Sequence, residues 1–316
     1  MNSHSAPPRR IGISFVFALG VAASADAAEE PVRLRVFLLA GQSNMEGQAV
    51  VDLDHEEHYN GGRGTLARVL ADPALARFDH LRDERGRWSA RDDVHVWYRT
   101  GHDELKAGPL SIGFGVYPGA HHFGPELMFG HAMGDRFEDP VLLVKAAWGG
   151  KSLAKDFRPP SAGGDVGPFY TKTLSALREA LERRGELFAG AEELEPSLEG
   201  LVWFQGWNDM VDEAATREYE ENFVHLVADL RRDLDAPALP VVIAETGNCD
   251  NEELRGAQAA AARRLAAAAF VPTVEFRRPA EDSPNVGHGH HWFGNAESVL
   301  LIGEAMGRAM GERLDR

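Results

Sequence analysis

The stretch Val36-Phe37-Leu38-Leu39-Ala40-Gly41-Gln42-Ser43-Asn44-Met45 joins an apolar run to a short polar one. A continuous apolar run of this length is typical of a strand buried in a parallel sheet. In such sheets, ligands bind where the chain leaves the carboxyl ends of the strands. The stretch therefore predicts an α/β fold with Ser43 at its functional edge, as a nucleophile or as an ordinary turn or capping residue.

Apolar runs and amphipathic helical patterns alternate along the rest of the chain, which predicts one parallel sheet covered by helices on both faces. The fold class is therefore α/β, a three-layer α/β/α sandwich with a mainly parallel sheet. The predicted strands are residues 33–40, 94–98, 141–148, 200–205, 241–245 and 273–276. The predicted helices are residues 124–137, 169–184, 217–234, 252–269 and 295–314.

Composition limits both the domain count and the partners. The chain has 316 residues, of which 44% are hydrophobic, so it can bury one large core. Its formal net charge of −16 opposes binding to nucleic acid or to an anionic membrane, because a polyanion is repelled. A neutral or weakly charged substrate fits this charge best. The sequence leaves the oligomeric state open.

The N-terminal residues have the pattern of a secretory signal. Arg9-Arg10 precedes an apolar run at residues 11–21, and Ala25-Asp26-Ala27 follows with small residues. We expect a signal peptide at residues 1–27 and a single domain at residues 28–316, exported to a periplasm or to the outside. The apolar run is too short to span a bilayer. A stray N-terminal helix is the alternative, and the paired arginines leave the Sec and twin-arginine routes open.

The chain contains one cysteine, Cys249, so no intramolecular disulfide can form. Export permits disulfides without requiring them, and a domain of this size has core enough to do without. Cys249 follows a predicted strand without a second cysteine nearby, which favours a structural thiol.

Acyl transfer requires a nucleophile, a base and donors to the oxyanion, and each has a candidate beyond a predicted strand. Ser43 offers its hydroxyl and its own N–H. Gly149-Gly150 offers a backbone N–H with no side chain in the way, although an ordinary glycine turn is the simpler interpretation. Gln205 ends an apolar strand, so its amide is either buried with partners or turned toward the site.

The base is sought in the histidine cluster of His288, His290 and His291. A histidine can take the serine proton near neutral pH and return it to the leaving alcohol. The alternative is a metal site formed by this cluster, but no cysteine or nearby carboxylate completes the three or four ligands that zinc takes. We therefore expect no metal and no cofactor.

Four blocks carry a family resemblance, in the expected order along the chain. The block from Phe37 to Met45 resembles the first block of the SGNH hydrolases in the sialate O-acetylesterase and acetylxylan esterase group, carbohydrate esterase family six. Residues 145–153 are similar to the glycine block of that group, and Trp203-Phe204-Gln205-Gly206 is similar to its Trp-x-Gln-Gly block. Residues 291–303 resemble its histidine block.

The resemblance implies a flavodoxin-like sandwich and a role for each site residue. Ser43 is then the nucleophile, His291 the general base, and Gly150 and Gln205 the oxyanion donors beside the Ser43 amide. His291 is chosen over His290 for its distance to the helix at Gly303. Family members commonly place an aspartate three residues before the histidine, where this chain has His288. The resemblance therefore leaves the orienting acid unassigned; Asp282 is taken as the candidate for its nearness in sequence, with the alternatives given next.

Other carboxylates and other functions remain open at this point. Asp209 and Glu245 are further candidates for the orienting acid, and a Ser/His dyad held by a backbone carbonyl is another arrangement. The expected function is a serine esterase that removes O-acetyl groups from a carbohydrate, of the acetylated polysaccharide or sialic acid type. The alternatives are a catalytically silent carbohydrate-binding protein on the same fold, and an esterase or thioesterase for a non-sugar ester.

Overall fold

A seven-stranded sheet organises the part of the chain that the computed structural model describes, residues 31–246, 248 and 250–316. The predicted signal peptide and Cys249 lie outside these residues. The strands of the structure are β1 Arg33–Gly41, β2 Ala49–Val50, β3 Arg91–Arg99, β4 Leu105–Leu110, β5 His122–Phe123, β6 Val141–Ala147, β7 Glu195–Phe204, β8 Val241–Ala244 and β9 Ala268–Val271.

The order of strands across the large sheet is β4-β3-β6-β1-β7-β8-β9. Every neighbouring pair is parallel except β3 and β4, which are antiparallel at one edge. The short strands β2 and β5 form a separate antiparallel pair. The polar stretch after β1 therefore leaves the sheet near its centre, between the ends of β6 and β7.

Helices connect the strands and cover both faces of the sheet. The helices are α1 Ser43–Glu46, α2 Glu56–Tyr59, α3 Leu66–Val69, α4 Glu126–Gly134, α5 Pro168–Glu182, α6 Trp207–Met210, α7 Glu213–Asp233, α8 Glu252–Arg264 and α9 Ala296–Leu314. Short 3₁₀ turns lie between several of them. Within the described residues, no helix combines the length and the apolar character needed to cross a membrane.

The alternating side chains of β1 divide the core into two layers. Phe37 and Leu39 pack in a cluster that contains residues of α4 and α9, such as Phe129 and Met306. Leu38 and its neighbours on the opposite face pack in a second cluster with residues of α5, α7 and α8. Because both faces are covered, the strand is apolar at nearly every position. The predicted three-layer α/β/α sandwich is confirmed.

The last strand of the sheet differs from the sequence prediction. Residues 273–276 were expected to be a strand, but a 3₁₀ turn occupies Val274–Phe276 and the strand is β9. The predicted helix at residues 252–269 is also too long, since α8 ends at Arg264. Alanine favours helix locally, yet here Ala268 pairs with Val241 at the sheet edge. Pairing with the sheet therefore overrides the local preference.

Candidate active site

The carboxyl ends of β1, β6 and β7 surround a cavity of about 330 Å³. Its lining consists of Gln42, Ser43, Glu46, Gln48, Gly149, Gly150, Trp207, Asn208, His290 and His291. A larger cavity of about 740 Å³ lies by the amino ends of β7 and β8, and no histidine is among its lining residues. The smaller cavity brings together the groups that acyl transfer requires, so it is the candidate site.

Ser43 begins α1 directly after the extended residue Gln42 and is only 7% exposed. The Gln42 side chain fixes this turn to the chain that follows β7. Its Oε1 accepts a hydrogen bond from Gly206 N at 3.0 Å, and its Nε2 donates to Asn208 Oδ1 at 3.0 Å. The nucleophile candidate is thus held by bonds between two strand ends rather than by a mobile loop.

The glycine turn after β6 forms a second side of the cavity. Gly149 and Gly150 both line it and both are exposed. Gly150 has a φ of 70°, in the left-handed region that favours glycine. A Cβ atom there would meet no atom within 4 Å, so the space above its backbone is open. A substrate oxygen can approach this backbone closely, which an oxyanion donor requires.

Gln205 does not line the cavity, and its amide is committed elsewhere. Its side chain is 1% exposed, and its Nε2 donates to Lys151 O at 2.9 Å and to Asp209 Oδ2 at 2.6 Å. Its Oε1 accepts from Tyr219 Oη at 3.0 Å. These bonds use both N–H groups of the amide, so the predicted role of Gln205 as an oxyanion donor has no geometric support. The residue ties the turn after β6 to the turn after β7.

Asn208 is the carboxamide that reaches the cavity from this side. It lies in the first turn of α6, three residues beyond Gln205, and its Oδ1 faces Gln42 Nε2. With the oxygen accepting that bond, the Nδ2 group remains as a donor. The polar run Gln205-Gly206-Trp207-Asn208-Asp209 was the sequence signal for this residue. The sequence left open whether the Gln205 amide is buried with partners or turned toward the site, and the structure shows it buried.

His291, the expected base, lines the cavity together with Ser43. Its Nε2 lies 3.4 Å from Gln48 Nε2, and its Nδ1 is buried with no hydrogen-bond partner among the described residues. Burial, with smaller contributions from the charges of His290 and His288, lowers the pKa of His291 to about 3. The ring is therefore neutral at physiological pH and available to accept a proton.

The three carboxylates considered as orienting acids are not bonded to His291. Asp282 lies in a 3₁₀ turn and lines a different cavity with Arg63 and Arg68, so the structure does not bring it to the histidine. Asp209 accepts bonds from Leu153 N and Ala154 N, both at 2.8 Å. Burial raises the pKa of Asp209 to about 6.

Glu245, the last of the three, is used at the end of β8. Its Oε2 accepts from Thr273 N at 2.6 Å and from Val274 N at 3.0 Å, and Arg255 Nε lies 3.3 Å from its Oε1. In this structure Ser43 and His291 are thus the two members of a triad that share the cavity. No described carboxylate completes it.

The neighbouring histidines form a packed group around His291. The His290 ring lies 4.0 Å from the His291 ring and 5.4 Å from the Trp207 ring, centroid to centroid. The His288 ring is farther from His291, at 6.2 Å. Among the described residues, no group of three or more His, Cys, Asp or Glu side chains is placed to hold a metal ion. His290 and Trp207 both line the cavity beside His291.

The backbone immediately after His291 is strained. Trp292 and Phe293 have φ values of 57° and 54°, which residues other than glycine rarely adopt. Such residues cost on the order of 1 to 3 kcal/mol each and concentrate at functional sites. Trp292 is buried at 2% exposure, so the core holds this turn in place. This turn, held by the core, sets the direction in which the backbone leaves His291 before α9 begins.

Comparisons with known proteins give three findings. A family model described as carbohydrate esterase, sialic acid-specific acetylesterase, matches residues 33–311. A probable carbohydrate esterase of Arabidopsis thaliana is 28% identical over 213 residues, which is 66% of this chain and 67% of that protein. Its solved structure has a TM-score of 0.58 and 16% identity, over 89% of this chain and 98% of the other, and this shows a shared fold.

A second solved structure is more distant. It is a carbohydrate acetylesterase from Xanthomonas citri, with a TM-score of 0.47 and 16% identity. The match covers 81% of this chain and 54% of that one. The family model, which spans all the strands and helices around the cavity, is therefore the finding that bears on this chain most directly.

Proposed function

The chain belongs to the carbohydrate esterase family described as sialic acid-specific acetylesterases, and from this premise we propose that it is a serine esterase that removes O-acetyl groups from a neutral carbohydrate. The observation that carries the proposal is the shared cavity of Ser43, Gly150, Asn208 and His291. These groups come from four separate parts of the chain. Their convergence supplies a nucleophile, a base and two kinds of oxyanion donor.

The first half of the reaction acylates Ser43. His291 accepts the proton of the Ser43 hydroxyl as the oxygen attacks the acetyl carbonyl carbon. The N–H groups of Ser43 and Gly150 and the Nδ2 group of Asn208 donate to the oxygen that becomes negative. When the tetrahedral intermediate collapses, His291 returns the proton to the sugar oxygen, and the deacetylated sugar leaves.

The second half regenerates the enzyme. A water molecule gives a proton to His291 and attacks the acetyl-serine carbonyl. The same donors stabilise the second oxyanion, and His291 returns its proton to the Ser43 oxygen as the bond from that oxygen to the acyl carbon breaks. Acetic acid is released and ionises to acetate. Each proton passes through His291, so this route needs neither a metal nor an organic cofactor.

The base acts in a Ser/His dyad, since His291 Nδ1 has no partner among the described residues. Removal of the acid from a triad that has one lowers kcat by about 10⁴-fold in a well-studied protease. Packing against His290 and the strained turn that follows His291 orient the ring instead. We accordingly propose a slow esterase rather than one near the diffusion limit.

The charge of the cavity favours a neutral substrate. Among its lining residues, no lysine or arginine is present and Glu46 is the carboxylate. A sialic acid carries a carboxylate that needs a cation or several donors to offset its desolvation. The net charge of −16 adds long-range repulsion of anions. An acetylated neutral polysaccharide or oligosaccharide is therefore the proposed substrate.

The mechanism is tested by replacing the nucleophile. Ser43→Ala should release acetate from acetylated xylan at less than about one thousandth of the rate of the unaltered protein. Ser175→Ala is the matched control, because Ser175 is an exposed serine on α5 whose hydroxyl donates to Thr171 O of its own helix. Equal rates for Ser43→Ala and the control would remove Ser43 from the mechanism.

The substrate class is tested with a panel at one enzyme concentration. The panel contains acetylated xylan, O-acetylated sialic acid, p-nitrophenyl acetate and an acetyl thioester. The proposal expects the largest kcat/KM for xylan, and a value for sialic acid that rises with added salt as repulsion is screened. A preference for the thioester would favour the non-sugar alternative. Binding of acetylated glycans with no acetate release would favour the silent binding protein.

The proposal includes export. Its basis is the sequence pattern of residues 1–27, which resembles a secretory signal. Fusion of residues 1–40 to a reporter that is active only after export tests it. The reporter should be active with the natural segment and inactive when the apolar run at residues 11–21 is interrupted by two aspartates.

A further inference from the structure

A buried carboxylate, Glu46, lies beside the nucleophile and takes no part in the mechanism above. Glu46 is the last residue of α1, lines the same cavity as Ser43, and is 4% exposed. A Cβ atom built on Gly149 would lie 3.0 Å from Glu46 Oε2 and 3.8 Å from Ser43 Cβ. The carboxyl group, the glycine turn and the serine therefore meet at one point beneath the cavity.

Both oxygens of this carboxyl group lie close to other groups of the protein. Oε1 accepts from the Tyr98 hydroxyl at 3.2 Å. Oε2 faces the backbone of Gly149, whose N–H group lowers the pKa of the carboxyl group. Tyr98 is the second-last residue of β3 and is fully buried, whereas Gly149 belongs to the exposed turn after β6. Glu46 thus connects a rigid strand to the turn that presents Gly150.

The backbone of Glu46 is fixed as firmly as its side chain. The Lys145 ammonium group donates to Glu46 O at 2.9 Å and to Phe114 O at 2.8 Å. Lys145 forms an ion pair with Glu126, and its Nζ also lies 4.7 Å from the centre of the Tyr98 ring. The carboxyl group therefore has little freedom to move away from Gly149.

We propose that Glu46 is a positioning residue that holds the Gly149–Gly150 turn from below, so that the Gly150 N–H is aimed at the oxyanion. This proposal rests on the proposed esterase function. Both glycines are exposed, and the backbone of glycine is the most mobile of any residue. An oxyanion donor contributes only when it is preorganised. The close contact of the buried Glu46 carboxyl group with Gly149 supplies that order.

The role requires a hydrogen-bond acceptor rather than a negative charge. Burial raises the pKa of Glu46, and the bonds from Tyr98 and Gly149 and the charges of Lys145 and His102 offset this only in part. An ionised carboxylate beside the oxyanion would oppose the developing charge. Glutamine can replace the acid, since its Oε1 accepts from Gly149 and its Nε2 donates to the Tyr98 oxygen.

The closing experiment compares Glu46→Gln, Glu46→Leu and Tyr98→Phe in the full chain. For Glu46→Leu, kcat with p-nitrophenyl acetate should fall 10- to 100-fold with KM within about threefold, because a preorganised donor is lost. For Glu46→Gln, kcat should stay within about threefold of the value for the unaltered protein. This variant should also lack the decline in kcat that ionisation of Glu46 causes in the unaltered protein. Tyr98→Phe, which keeps the ring over Lys145, should show an intermediate loss if Glu46→Leu fails to fold.

A second readout separates this proposal from the esterase function. Amide hydrogen exchange at Gly149 and Gly150 should be at least tenfold faster in Glu46→Leu than in the unaltered protein and unchanged in Glu46→Gln. Unchanged exchange in Glu46→Leu overturns the positioning role, whether or not the protein hydrolyses esters. A Glu46→Gln variant as slow as Glu46→Leu also overturns it, because the charge would then be required. Failure of the esterase function appears separately, as equal rates for Ser43→Ala and the unaltered protein.

Discussion

The Nζ atom of Lys145 lies 2.8 Å from Oε2 of Glu126, and both side chains are completely buried. Lys145 lies within β6, inside the sheet, and its ammonium group also donates a hydrogen bond to the backbone oxygen of Glu46 at the cavity. Glu126 opens α4, where its Oε1 accepts from Gly124 N at 2.8 Å. The pair therefore joins a helix, the central sheet and the floor of the site.

Removal of either partner of this pair should destabilise the fold severely. Glu126→Ala or Lys145→Met leaves one buried charge without its counter-ion, a change that costs about 3 to 5 kcal/mol. The double variant should lose less than the sum of the two. Urea denaturation gives each value. Glu186→Ala, in the exposed pair with Arg183, is the control and should change little. A buried variant as stable as this control would contradict the prediction.

Asn208 and Gln205 should respond differently to truncation. Asn208→Ala should lower kcat by about 10²- to 10³-fold because an oxyanion donor is lost, and it should lower thermal stability less than Gln205→Ala does, because only Gln42 Nε2 loses its acceptor. Gln205→Ala should instead lower stability, because Asp209 and Lys151 O each lose a buried donor. Steady-state kinetics and thermal unfolding on both variants distinguish the roles. Loss of kcat without loss of stability in Gln205→Ala would restore the role that the sequence predicted.

Activity should persist at acidic pH. The folded-state pKa of His291 is lowered to about 3, so its neutral form, which accepts the serine proton, survives well below the ordinary histidine pKa of 6.5. In assays of quenched samples, kcat/KM should therefore begin to decline only below pH 5. An acid limb at pH 6 to 7 would show that His291 is not the base or that its ring is solvated during turnover.

The same histidine should make the fold sensitive to acid. Its pKa is depressed in the folded state, so the unfolded chain binds the proton more readily, and stability is lost as pH falls from about 6.5 toward 3. Each pH unit in this window costs up to about 1.4 kcal/mol. The free energy of unfolding of His291→Asn should depend less steeply on pH than that of the unaltered protein. Identical slopes in urea titrations from pH 7 to 4 would contradict this.

Gly41 should not tolerate a side chain. A Cβ atom there would lie 2.3 Å from Phe204 O, at the point where β1 and β7 run side by side into the site, and its φ is 155°. Gly41→Ala should therefore fold poorly or not at all, as judged by soluble yield and circular dichroism. Gly256→Ala is the control within α8, where a Cβ meets no atom within 4 Å. It should stabilise the protein by about 0.5 to 1 kcal/mol.

Local patterns in the sequence were sufficient for the architecture. The apolar run of β1 reflects burial on both faces, and such burial leaves a direct mark on composition. The edge of the sheet was harder to predict. β4 contains Gly108 and Pro109, which are disfavoured in strands, and β9 begins in an alanine-rich run that favours helix. Edge strands depend on pairing with a neighbour, which the local sequence does not record.

The position of Ser43 followed from the sequence alone, because a polar turn after a buried strand lies at the ligand-binding edge of a parallel sheet. The tertiary structure decided which amide faces the cavity, and it bonds none of the three candidate acids to His291. Gln205 and Asp282 were reasonable expectations by motif and by distance along the chain, yet one bonds to Asp209 and the other lies in a separate cavity. Hydrogen-bond partners are chosen among residues far apart in sequence, so only the folded chain determines them.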